Sequence, residues 1–130
     1  MAKTAIRKPG KKATDGSWSE RRDGMRIDWD VPIGMEDGTV LRADVYRPPK
    51  TGKYPVILTM GPYGKGLAWQ DEVYATTWEL FSGAHPDAIA GSTNKYQNWE
   101  TVDPEQWVPD GYACVRVDSR GAGRSPGFMD

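Results

Sequence analysis

A chain of 130 residues with 38% hydrophobic and 27% charged positions can build one domain with a core, which excludes the disordered and membrane-embedded classes. No apolar run approaches the ~18 residues of a transmembrane helix, and the N-terminus lacks the apolar core of a secretory signal. The net charge of −1 hides an uneven spread, because residues 1–22 hold seven basic side chains against Asp15 and Glu20.

Residues 1–24 carry Pro9-Gly10, Asp15-Gly16 and Asp23-Gly24 and read as a flexible basic arm, leaving residues 25–130 as the domain. A basic arm can grip nucleic acid, but this one has no aromatic interleaving before Trp18, so nucleic acid is not an expected partner. Ile27, Trp29, Val31 and Ile33 alternate with polar residues or proline, as a half-buried strand does. Asp37-Gly38 supplies a hairpin turn. Val40 to Tyr46 follows as a second strand, with Leu41, Ala43 and Val45 on one face. Arg47-Pro48-Pro49 ends it, and Lys50 to Lys53 is a polar loop.

Pro55 to Met60 reads as a third strand, apolar enough to be central, and runs into the glycine-rich loop Gly61-Pro62-Tyr63-Gly64-Lys65-Gly66. Tyr74, Trp78 and Phe81 fall at helical spacing within Trp69 to Phe81. Ser82 to Thr101 shows no period and is long for a loop, which suits a functional cover or a disordered segment. Asp103-Pro104-Glu105 gives an N-cap, a first-turn proline and an early acid for a short helix through Trp107 and Val108. Tyr112 to Val117 is apolar except for Arg116, as in a strand covered on both faces of a parallel sheet. An α/β architecture follows, with ligands bound beyond the strands' carboxyl ends. After that strand only thirteen residues remain, too few for a crossover and a further parallel strand. The chain therefore reads as the front part of a larger fold.

The chemistry-bearing motifs are few. Gly123-Arg124-Ser125-Pro126-Gly127 matches G-x-S-x-G, the pattern of a serine nucleophile elbow. We reject Ser125 as a nucleophile: Pro126 has no N–H for an oxyanion, and the serine lies eight positions past Val117. Gly121-Ala122-Gly123 begins a dinucleotide fingerprint, but Pro126 stands where the third glycine is due. His85, the one histidine, has no ordered nucleophile and acid near it and reads as a loop residue. One histidine and one cysteine argue against a zinc site. Tyr63, between Pro62 and Gly64 at a strand's tip, has a hydroxyl suited to donate to a developing oxyanion. Spacing alone favours a packing or turn role for it.

Four motifs, taken in order, resemble the acyl esterases related to cocaine esterase and X-Pro dipeptidyl-peptidase, a branch of the α/β-hydrolases. Met35 to Pro48 is similar to that family's opening hairpin, and Pro55-Val56-Ile57-Leu58 leading to Pro62-Tyr63-Gly64-Lys65 to its oxyanion loop. Trp107-Val108-Pro109-Asp110-Gly111-Tyr112-Ala113 is similar to its helix-to-strand passage. Val117 to Ser125 carries its Asp-x-Arg-Gly-x-Gly turn. The likeness covers about residues 27–128 and implies the N-terminal portion of an α/β-hydrolase sheet, an opening β-hairpin followed by parallel central strands, incomplete in this chain.

The resemblance further implies a serine hydrolase that cleaves acyl esters, amides or peptides through an acyl-enzyme. Tyr63 would complete its oxyanion hole, and Asp118, Arg120 and Gly121 would shape the bordering turn. Gly66 to Tyr96 would border the acyl or leaving-group pocket. The family's serine, acid and histidine have no counterpart here, so the chain alone is expected to be inactive. No cofactor is expected, since the covalent chemistry belongs to side chains. The expected partner is a small-molecule ester or peptide substrate, with no membrane and with the oligomeric state left open. A cytoplasmic location fits the single cysteine, Cys114, read as a buried hydrophobe. The rival reading is a non-catalytic binding module derived from a hydrolase fold, using the aromatic loop and basic arm.

Overall fold

Met25, Ile27 and Trp29 alternate with polar residues, and the strand they form, β2 (Met25–Gly34), buries all three on one face. In the computed structural model, which describes residues 11–71 and 74–129, β2 belongs to a five-stranded mixed sheet. Its other strands are β1 (Trp18–Arg22), β3 (Val40–Arg47), β4 (Val56–Gly61) and β5 (Ala113–Asp118), in the spatial order β1-β2-β3-β5-β4. Strands β2 and β3 form the expected antiparallel hairpin, closed by Gly38 at φ 82° and by Asp37, whose carboxylate accepts the Thr39 N–H at 2.9 Å. β5 lies between β3, to which it is antiparallel, and β4, to which it is parallel.

A β-bulge interrupts β2, because Asp28 faces Val45 while Val31 faces Ala43. One extra residue on β2 lets the consecutive Trp29 and Asp30 both be buried, with Asp30 at φ 53°. Aspartate tolerates that left-handed conformation better than most residues, and bulges re-aim side chains in this way.

The main core lies on the face carrying Trp18, Met25, Ile27, Trp29, Tyr46 and Cys114, roofed by Tyr96 and Val108 from the β4–β5 connection. That connection contains α1 (Ala75–Ala84), α2 (Pro86–Ile89) and α3 (Pro104–Trp107). Asp103 caps α3 by accepting the Glu105 N–H at 3.0 Å. The opposite face holds a smaller cluster of Leu41, Ala43 and Val117, flanked by Ile33 and Val115.

The structure corrects several expectations. Within the arm expected over residues 1–24, Trp18–Arg22 form edge strand β1, paired with β2 through Trp18↔Trp29. Residues 1–10 lie outside the described residues. Asp23 at φ 49° and Gly24 at φ 76° make the dipeptide read as loop punctuation into a hairpin turn. Trp18 is buried against Trp29 with centroids 5.5 Å apart, and that aromatic burial fixes the strand in place.

The strand expected to be central, β4, is the sheet's edge, and Val56, Leu58 and Met60 are each more than half exposed. They share a face with Val115 and Val117 through the parallel register Leu58↔Val115 and Met60↔Val117. β5 is the interior strand. Among the described residues only the β4–β5 pair is parallel. The helix expected from Trp69 begins at Ala75 and buries no residue. On β3, Tyr46 and Asp44 are buried as fully as Leu41 and Ala43, so both faces of that strand are covered. Among the described residues no helix is long and apolar enough to cross a membrane.

Candidate active site

β4 and β5 run parallel, so the loops leaving their carboxyl ends meet, and these loops carry the two strongest motifs. After β4 the chain turns through Gly61-Pro62-Tyr63-Gly64-Lys65. Gly64 sits at φ 81°, a conformation glycine adopts without strain. Its carbonyl accepts from Asn98 Nδ2 at 3.1 Å and from the Leu67 N–H at 3.1 Å. The next residue, Lys65, is tied at both ends. Its backbone N–H donates to Asp118 Oδ1 at 2.6 Å, and its Nζ donates to Asp30 Oδ1 at 2.6 Å and Asp44 Oδ1 at 2.9 Å.

This ion cluster is buried, with side-chain exposures of 5% for Lys65, 1% for Asp44 and 12% for Asp30. Asp44 Oδ1 also accepts the Asp30 N–H at 3.0 Å, which braces the bulge. Burial pushes the Asp44 carboxyl above the ordinary carboxylate range, and the Lys65 ammonium opposes that rise. Arg124 Nη1 lies 3.5 Å from Asp30 Oδ2 at the cluster's outer side.

After β5, Asp118 organises the second loop. Its Oδ2 accepts the Arg124 N–H at 2.8 Å. Gly123, at φ 52°, passes so close that a Cβ there would lie 2.5 Å from the Asp118 carboxyl carbon. Arg120 reaches back to the hairpin, with Nη1 2.8 Å from Asp37 Oδ2. The Thr39 backbone N–H, followed by Arg120, holds the Asp37 carboxyl down at about 2.

Ser125 is buried within the same turn. Its Oγ donates to the Asp118 carbonyl at 2.7 Å and accepts the Arg42 N–H at 2.9 Å. The hydroxyl joins β3 to β5 and faces no base. His85 lies elsewhere, its ring 5.3 Å from that of Phe81.

Tyr63 lines a small cleft of about 50 Å³ together with Gly64, Trp99, Glu100, Thr101 and Arg116. It is 36% exposed, with its ring 6.2 Å from Trp99. Among the described residues its hydroxyl has no hydrogen-bond partner, which leaves the proton available to a ligand. Trp99 continues into an aromatic stack, with Trp69 at 4.8 Å and Phe81 a further 4.8 Å from Trp69. Arg116, in the floor, is buried, donates to the Val102 carbonyl at 2.9 Å and lies 5.1 Å from the Tyr46 ring centroid.

The sequence reading placed Tyr63, Asp118, Arg120 and Gly121 near one another, and the structure brings their two loops together. It missed the Asp30–Lys65–Asp44 cluster. The available signal was Asp44 two residues before Tyr46 on the same face of the strand, together with Asp30 directly after a tryptophan.

A mixed sheet whose parallel strands end in an aromatic cleft and an Asp-x-Arg-Gly turn defines the front of an α/β-hydrolase. The family model described as X-Pro dipeptidyl-peptidase (S15 family) matches residues 37–130, and the chain belongs to that family. It is 34% identical over 97 residues to a cocaine esterase from Rhodococcus sp. (strain MB1 Bresler), covering 75% of this chain and 12% of that protein. Two crystal structures of a CocE/NonD family hydrolase from Staphylococcus aureus match it at 29% identity with TM-scores of 0.63 and 0.62. Each match covers 82% of this chain and 17% of the other. The chain thus spans less than a fifth of the length of these relatives.

Proposed function

We propose that this chain is the oxyanion-tyrosine segment of a serine hydrolase that cleaves acyl esters or amides through an acyl-enzyme. The observation that carries the reading is Tyr63: a half-exposed residue lining a cleft, its hydroxyl unengaged among the described residues, on a loop tied down at Gly64 and Lys65. When a serine attacks an acyl carbonyl, the carbonyl oxygen gains negative charge. A fixed O–H donor aimed at that oxygen stabilises the transition state more than the substrate. Family membership supports the hydrolase class.

The nucleophile is none of this chain's serines. Ser125 is committed to two structural hydrogen bonds, and the His85 ring packs on Phe81. The 130 residues alone therefore catalyse no hydrolysis. A cytoplasmic location accords with Cys114, a buried free thiol that burial pushes up to about 11.

A fluorophosphonate probe tests this reading on the full natural polypeptide, with the adduct located by tryptic mass spectrometry. The expected result is one labelled serine outside these 130 residues and no labelling of the 130-residue chain alone. Labelling at Ser125, or none anywhere, contradicts it.

A further inference from the structure

We propose that Lys65 is a positioning residue for Tyr63: clamped between Asp30 and Asp44, with its amide held by Asp118, it sets where the Tyr63 hydroxyl stands over the cleft. The inference rests on the reading of Tyr63 as an oxyanion donor. Lys65 follows Tyr63 by two residues, so its anchor lies within about 8 Å of chain.

Three strands supply the clamp: β2 gives Asp30, β3 gives Asp44 and β5 gives Asp118. An ammonium between two carboxylates, plus an amide on a third, leaves the backbone at Lys65 little freedom to shift or rotate. Gly64 is held as well, by Asn98. Among the described residues Tyr63 itself has a ring contact with Trp99 and no hydrogen bond of its own, so its place depends on these neighbours.

Stability alone does not account for this arrangement. Burying a lysine with two carboxylates costs desolvation that a well-packed apolar side chain avoids, and such clusters are weak evidence for stability. The bulge adds strain by holding Asp30 at φ 53°. What a buried ion cluster does supply is direction, because its partners accept one geometry. An oxyanion donor displaced by an ångström loses much of its effect.

The test uses the full natural polypeptide carrying Lys65→Met with Asp44→Asn, which removes both buried charges of that pair. With p-nitrophenyl acetate, kcat is expected to fall at least ~10-fold while KM stays within ~3-fold. In a Tyr63→Phe background the same pair is expected to cost less than ~2-fold more, because its effect runs through the hydroxyl. Equal losses in both backgrounds, or no loss in either, overturn the proposal. A Tyr63→Phe protein with unchanged kcat instead overturns the oxyanion reading. Positioning is then decided by the ¹⁹F resonance of 3-fluorotyrosine at Tyr63, assigned by its disappearance in Tyr63→Phe. The proposal requires that line to shift or broaden in the Lys65 variant, and an unaltered line refutes it. Should the double variant fail to fold, Asp30→Asn keeps the Lys65–Asp44 pair and gives the same two readouts.

Discussion

The backbone N–H of Lys65 donates to the carboxylate of Asp118 at 2.6 Å, across 53 residues of sequence. That bond joins the loop leaving β4 to the turn leaving β5. Ligands in α/β sheets bind beyond the carboxyl ends of the parallel strands, and here Asp118 holds that region together. It also accepts from Arg124, and its carbonyl accepts from Ser125.

Gly123→Ala tests how closely the turn wraps Asp118. An added Cβ would lie within 2.5 Å of the carboxyl carbon, at a backbone φ of 52°. Strain and collision together are expected to cost about 2–4 kcal/mol. A lowered thermal midpoint with loss of soluble protein is the expected result; an unchanged midpoint refutes the packing described for this turn.

Ser125→Ala separates structure from catalysis. The substitution leaves the Arg42 N–H without its partner in a partly buried setting and removes the bond to Asp118. Destabilisation of about 1–3 kcal/mol is expected, with turnover per folded molecule within ~2-fold of wild type. Abolished turnover in a fully folded variant would make Ser125 the nucleophile.

Strand β4 presents Val56, Leu58 and Met60 at more than half exposure on the sheet's edge. Exposed apolar edges of this kind template association. The 130-residue chain produced alone is expected to self-associate, and Leu58→Lys to raise its monomer fraction several-fold in light scattering. A monomeric wild-type chain with a sharp, reversible melt argues against this view and favours a stand-alone binding module.

The hairpin contact between Asp37 and Arg120 has a defined pH dependence. Asp37 is lowered from 3.8 to about 2, first by the Thr39 N–H and then by Arg120. A depressed carboxyl stabilises the fold above its unfolded value and loses that contribution as pH falls through the folded value. The difference in thermal midpoint between wild type and Asp37→Asn should be full above pH about 4 and shrink as pH drops toward 2. A difference that persists at pH 2 contradicts the assignment.

Much of this was readable from residue order. The Asp37-Gly38 hairpin, the Asp103 cap and the runs forming β2, β3 and β5 depend on local chemistry, and each stands close to its expected bounds. Strand order was less legible. The apolar run of β4 signals burial without saying which neighbour provides it, and here it lies at an edge. β1 was hidden because Ser19, Glu20, Arg21 and Arg22 are polar, and the contacts of Trp18 and Glu20 with Trp29 reveal its inward face. Asp30 and Asp44 gave a faint signal, but their meeting with Lys65 was not legible because a bulge that depends on strand pairing brings the three together. Tyr63 was legible through its proline–glycine setting, whereas the groups that hold its loop were not.

Tyr63→Phe in the full natural polypeptide isolates the hydroxyl's contribution, because it removes one oxygen and leaves the ring beside Trp99. Steady-state hydrolysis of p-nitrophenyl acetate is measured alongside affinity for a boronic acid that mimics the tetrahedral intermediate. The account predicts that kcat falls roughly 100- to 1,000-fold and boronate affinity falls with it, while KM stays within about 3-fold. An unchanged kcat, or a rise in KM alone, would show that Tyr63 packs or binds without stabilising the oxyanion.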